Sequence, residues 1–280
     1  MANDGAATSS GPARAYQGWR LLSRENRFLP PLLITSILLS ANLSFGILEG
    51  WERTGLSIVT AIGAEMTLGR LAYGRWPHPA SAYISGISAG ILIRSPLLWP
   101  YFFCAFISIV SKYVLRWRGR HLWNPTNFGV SVMVFFAPAT VAVLSIQWGN
   151  VVAPMIVIWV LGAIITWRVG RLHISATYVA SFLALSLVRS AITGLPWLAT
   201  VAPITGPMYQ LFIFFMVTDP RTTVRSVRGQ CVVVFLVAFV EMLMRLGEVV
   251  YAPFYALFWV GALAMGVEIW RDSRTRMTTA

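Results

Sequence analysis

Ten apolar runs follow one another along this chain, and most of its charges fall between them. The runs lie at roughly residues 29–48, 55–74, 80–94, 97–115, 125–145, 151–167, 172–193, 199–217, 230–246 and 249–270. Most approach the ~20 residues that a helix needs to cross the hydrocarbon core of a bilayer. Only 11% of the 280 residues are charged and 57% are hydrophobic, against about a quarter charged in soluble domains. These features predict an all-α polytopic membrane protein of about ten transmembrane helices.

The net charge is +12, but its placement argues against nucleic acid as the partner. The basic residues occupy short connecting segments, where membrane proteins keep theirs, and no nucleic-acid motif accompanies them. The lipid bilayer, with its anionic headgroups, is the expected partner. With the N-terminus in the cytoplasm, 18 Lys and Arg residues fall inside and only Arg53, Arg94, Arg189 and Arg245 fall outside. The predicted location is therefore a bacterial-type inner membrane with both termini cytoplasmic, residues 1–28 and 271–280 forming the tails. No secretory signal peptide is evident at the N-terminus. Cys104 and Cys231 lie inside apolar runs and read as small core residues. Two thiolates cannot hold an iron–sulfur cluster in this chain alone. His78, His121 and His173 all fall in basic connections, so no intramembrane bis-histidine haem site is expected, and no metal site either.

Two apolar runs are interrupted alike. "FFMVTDPRTT" (Phe214–Thr223) stops at an acid and a proline, and "GILIRSP" (Gly90–Pro96) stands 124 residues earlier. The same offset carries segments one to five close to segments six to ten. Five is odd, so the second set must run inverted relative to the first, a recurring transporter plan. The predicted repeats are residues 29–145 and 151–270, with Arg94-Ser95-Pro96 and Thr218-Asp219-Pro220 as pseudo-symmetric breaks. Proline drives the residue before it out of helical geometry, so Ser95 and Asp219 should end their helices. A carboxylate at a helix C-terminus is disfavoured by about 0.3–1 kcal/mol. Asp219 therefore needs a compensating partner, for which Arg221, Arg225 and Arg228 are the nearby choices. It serves either as a loop cap or as a gate or ligand contact.

In "HLWNPTNFG" (His121–Gly129), Asn124 and Pro125 form a strong helix start, as N-cap and first helical residue. Asn124, Thr126 and Asn127 also offer polar groups to a bound anion or ring at that helix end. Residues 112–120 read as a lipid-facing basic loop. Within the apolar runs stand Glu65, expected either to pair with a basic residue or hydroxyls or to serve a proton or substrate, and its 124-residue mate Arg189. Glu241 and Arg245 are spaced for a local ion pair.

"NPTNFG" (Asn124–Gly129) resembles the Asn-Pro-x-Asn-Pro motif of the NqrB/RnfD family. "FFMVTDPRTTVRSVRGQ" (Phe214–Gln230) resembles that family's Thr-Asp-Pro segment, and "SAYISGISAGILIRSP" (Ser81–Pro96) its third helix. The resemblance runs over about residues 29–270. It implies two inverted five-helix repeats, flavin binding, and a place among other membrane subunits of ion-translocating electron-transport complexes. Within that family the chain is most similar to the shorter branch labelled enediyne biosynthesis membrane protein. The redox subunits carry a flavin-attachment threonine in a long loop between the fifth and sixth helices; here that loop is only Ser145–Asn150. "ISAT" (Ile174–Thr177) fits the attachment pattern superficially but begins segment seven. Covalent flavin mononucleotide is therefore not expected, whereas noncovalent flavin or quinone is. Membrane electron transfer or coupled transport is the primary reading, with the chain at most a non-catalytic or flavin-binding subunit of an oxidoreductase. The alternatives are a non-redox solute transporter or channel, and an accessory membrane protein of natural-product biosynthesis.

Overall fold

A computed structural model describes residues 51–143 and 152–278, with scattered positions between 31 and 50. The chain is mostly helical. The first half contains α1 (Trp51–Tyr73), α2 (Ala80–Leu92), α3 (Trp99–Val114) and α4 (Pro125–Phe136). The second contains α5 (Val152–Arg168), α6 (Leu172–Thr193), α7 (Trp197–Val201), α8 (Pro207–Leu211), α9 (Val227–Leu246) and α10 (Ala252–Thr278). Among the described residues, α6, α9 and most of α10 are each long and apolar enough to cross a membrane; α2 to α5 are shorter apolar helices. The stretch from Trp197 to Met216 makes a fourth if its two halves, bent by 66°, form one span.

Local chemistry explains where helices stop short of the apolar runs. Segment five was expected to reach residue 145, but α4 ends at Phe136, because Pro138 cannot continue the hydrogen-bond ladder. The chain then turns, and β4 (Ala142–Val143) pairs antiparallel with β1 (Ile93–Arg94), at the end of α2. Segment eight is broken where Pro203, Gly206 and Pro207 interrupt it, giving α7, a 3₁₀ turn (Ala202–Thr205), α8 and a π-helical turn (Phe212–Met216). In the π turn Val217 N–H donates to the carbonyl of Phe212 at 3.0 Å. Such turns leave a helix locally under-bonded and concentrate at functional sites. At the other end of the chain, α10 continues to Thr278, where a tail had been expected from 271. The expected tail at 1–28 and the loop Ser145–Asn150 lie outside the described residues.

The two halves share a packing plan. In the first, α1 packs on α2 and α3, and α3 on α4; in the second, α6 packs on α7 and α9, and α9 on α10. Leu38, in segment one, packs against Ile87 and Ile91 of α2, as α5 packs on α8 in the second half. Small residues permit these approaches. A Cβ at Gly86 would stand 2.7 Å from the Ile58 Cα, and one at Gly129 would stand 2.6 Å from the Cys104 carbonyl oxygen. The interior of the second half is aromatic: Tyr178, Phe212 and Phe254 are buried, with Phe212 edge-on to both.

Candidate functional site

The site is built around the start of α4. Asn124 is extended (φ −62°, ψ 124°) and its side-chain oxygen accepts from the Asn127 N–H at 3.0 Å, with Pro125 in the first turn. This is the cap expected from Asn-Pro, and such a cap stabilises a helix by about 1 kcal/mol. The other half of the Asn124 amide reaches across the bundle. Its Nδ2 donates to Asp219 Oδ2 at 3.1 Å, joining residues 95 positions apart in sequence. Two of the three motifs that carried the family resemblance thus meet.

Ser95 and Asp219 both fall just past the ends of their helices, as proline required. Ser95 is buried, accepts from Leu97 N–H at 3.2 Å, and its own N–H donates to the Tyr101 hydroxyl. The Asp219 carboxylate accepts from Asn124, from the Thr222 hydroxyl at 3.0 Å and from the Arg221 N–H at 3.0 Å. Its own carbonyl accepts from the Thr223 hydroxyl. The expected arginine partner does not appear among the described residues: Arg225 pairs instead with Asp272 (3.0 Å) and Glu268 on α10. Neutral donors answer the charge of Asp219: the Asx turn brings the Arg221 N–H and the Thr222 hydroxyl to it over a few residues, and Asn124 reaches it from the start of α4. Thr218 turns its hydroxyl back to the Phe214 carbonyl at 2.5 Å, satisfying a carbonyl that the break leaves free. Pro220 follows in the turn.

Deeper along α4, Thr126 and Asn127 are buried. Asn127 Nδ2 donates to the Phe254 carbonyl at 3.2 Å, and the Ser131 hydroxyl shares that acceptor at 3.4 Å. The carbonyl fixes which end of the amide is nitrogen. The Asn127 oxygen is left buried with no partner among the described residues.

Glu65 is paired rather than free. Lys112 Nζ lies 3.0 Å from its Oε2 and 3.1 Å from the Ser81 hydroxyl, linking α1, α2 and α3. Lys112 had been read as part of a lipid-facing basic loop; it is 7% exposed, in the last turn of α3. It is the only lysine in a chain of arginines, and that was the available signal. Beyond it, Arg118 (φ 51°) and Gly119 (φ 80°) form the two-residue turn of a hairpin pairing Arg116–Trp117 with Arg120–His121. Both positive φ angles match the turn type that such hairpins favour. Arg120 reaches Glu268 on α10 at 2.6 Å. Arg94 lies in β1 and is not part of the Asn124–Asp219 group; Arg189 stands on α6 and donates to the Thr200 carbonyl.

His121 borders this site, and its Nδ1 is buried without a partner. Burial first, then the charges of Arg116, Arg221 and Lys112, push its pKa down to about 4. A group whose folded pKa is depressed takes up its proton more readily in the unfolded chain. Stability should therefore fall as pH is lowered from about 6.5 towards 4, and change little from this source above 6.5. Thermal unfolding of the purified protein at pH 5 and pH 7.5 should show that loss. His121→Gln should remove it, and an unchanged pH slope in the variant would assign the loss to other groups.

Thr177 of "ISAT" lies within α6, its hydroxyl bonded to the His173 carbonyl at 2.7 Å. It is a helix residue, not a loop residue. Tyr178 and Tyr209 were not foreseen, yet both donate to the buried Glu241, Tyr209 at 2.5 Å, and Arg245 pairs with the same carboxylate at 2.9 Å. No protein-family model matches the chain, and no curated protein matches it.

Proposed function

We propose that this chain is an inner-membrane subunit of NqrB/RnfD type, acting in membrane electron transfer or coupled transport around a noncovalent flavin or quinone. On this reading ten segments form two inverted five-helix repeats, both termini are cytoplasmic, and other electron-transport subunits are the partners. The observation that carries it is the Asn124–Asp219 hydrogen bond, which gathers two of the three resembling motifs into one site. The shared packing plan of the halves and the excess of arginine in alternate connections support the topology.

The residues present suit a flavin better than a quinone. The orphaned Asn127 oxygen is an acceptor and calls for a donor. A flavin offers a ring N–H, whereas a quinone offers only carbonyl acceptors. Asn127 would hold the ring, with Asn124 and Thr126 beside it, and Asp219 would fix Asn124. When bound, a flavin supplies one- or two-electron transfer; the protein supplies the dry, polar-edged site and its orientation.

Purified protein should show the visible absorption of an oxidised flavin, bleached by a reductant. The colour should leave on denaturation, with no fluorescent band after denaturing electrophoresis, and Asn127→Leu should fold without colour. A folded, colourless wild type that moves a solute across vesicle membranes would replace this reading with the transporter.

A further inference from the structure

A second polar group lies at the far ends of α6 and α9. The near ends carry His173 and Gln230, 2.6 Å apart, beside the Val224 carbonyl and so beside the Asp219 loop. At the far ends Arg189, Ser186, Glu241 and Arg245 line a crevice whose other walls include Phe182 and Met242. The charges do not balance. Glu241 is 1% exposed, and its oxygens are already taken by Tyr178, Tyr209 and Arg245. Arg189 is 8% exposed and donates to one carbonyl, that of Thr200, while forming no ion pair among the described residues. The Ser186 hydroxyl, 3% exposed, has no hydrogen-bond partner among them either. The next acid, Glu248, is exposed and pairs with neither guanidinium. Two guanidiniums thus face one carboxylate that is already fully engaged.

A surplus cation inside an apolar span is costly unless an anion or water meets it. We propose that the crevice between α6 and α9 is an oxyanion site of phosphate class, with Arg189 as the principal ligand, Arg245 behind it and Ser186 as a further donor. A planar guanidinium with spare N–H groups matches phosphate oxygens in pairs. The exposed apolar side chains of the same two helices, Leu187 and Val188 on α6 and Leu243 on α9, suit a phospholipid, whose headgroup phosphate would sit at Arg189 at the mouth of the crevice with its chains along the helices. A free phosphate offers the same oxygens without the chain. The site does not depend on any redox role of the chain.

The test uses the full chain, purified in a nonionic detergent and stripped of lipid. Short-chain phosphatidylglycerol and, separately, inorganic phosphate are titrated while the thermal midpoint is read. A saturable rise is expected with the phospholipid in the wild type. The half-saturation concentration should increase about tenfold or more in Arg189→Gln, as loss of a charge-assisted hydrogen bond predicts. It should stay unchanged in Arg118→Gln, which alters the exposed hairpin. Ser186→Ala keeps both guanidiniums and guards against a variant that fails to fold; it should weaken binding about threefold. A rise with inorganic phosphate as well supports the site and assigns a soluble oxyanion as its ligand. No rise with either probe in the folded wild type, or equal responses in Arg189→Gln, Ser186→Ala and the wild type, would overturn the proposal.

Discussion

Glu241→Ala is expected to lower stability by about 3–5 kcal/mol, the cost of stranding buried partners when one member of a charge network is removed. The variant leaves the Tyr178 and Tyr209 hydroxyls and the Arg245 guanidinium without their shared acceptor. Those partners stand on three elements, α6, α8 and α9, so the loss loosens the broken segment eight from both its neighbours. Arg245 also lies over the Tyr209 ring, 5.4 Å from its centre, and would lose its countercharge there. Glu241→Gln keeps an acceptor and should cost less. The double variant Glu241→Met with Arg245→Met should recover part of the loss, because it removes the guanidinium that Glu241→Ala strands while the Tyr178 and Tyr209 hydroxyls stay unpaired. Thermal midpoints in one detergent measure all three. A Glu241→Ala midpoint close to that of the wild type would mean that packing alone holds the break.

Asp219→Asn should do the reverse, sparing the fold and abolishing function. An exposed or half-exposed polar anchor of this kind contributes about 1 kcal/mol or less, so expression and midpoint should change little. Function should suffer because the Asn124 amide donates to Asp219. An amide in place of the carboxylate has only one oxygen to serve three donors, and its NH₂ confronts one of them. Asn124 is then no longer fixed at the start of α4, and the neighbouring Asn127 oxygen loses its fixed position. On the proposed reading, flavin occupancy or coupled electron transfer should drop at least about tenfold, as expected when a charged hydrogen bond that orients a ligand site is lost. Normal occupancy and activity in this variant would reduce Asp219 to a loop cap.

Local signals in the sequence located the helices and the start of the site. Apolar runs marked where helices lie, and Asn124-Pro125 marked the start of α4 because capping is decided within four residues. Pro138, equally local, was passed over, and α4 was drawn nine residues too long. Glu65 and Arg189 stood out as charges within apolar runs. Their partners did not, because Lys112 is 47 residues from Glu65 and looked like one more basic loop residue. Tyr178 and Tyr209 were invisible for a related reason. A tyrosine in an apolar run reads as core, and only the fold shows that both hydroxyls converge on Glu241. The reverse error occurred at Asp219, where proximity in sequence favoured arginine; the turn supplied a hydroxyl and a backbone N–H instead, and the distant Asn124 an amide.

The contact between α4 and α10 has an electrical consequence. Asn127 and Ser131 both bond the carbonyl of Phe254, which lies in the first turn of α10, so the two helices overlap at their N-terminal ends. Each such end carries roughly half a positive charge from its aligned peptide dipoles. Placed together among Phe212, Phe254 and Val130, where no bulk water screens them, the two ends create a positive spot in the bundle. A cation travelling between α4 and α10 meets a barrier there. An added negative charge is stabilised at the same place.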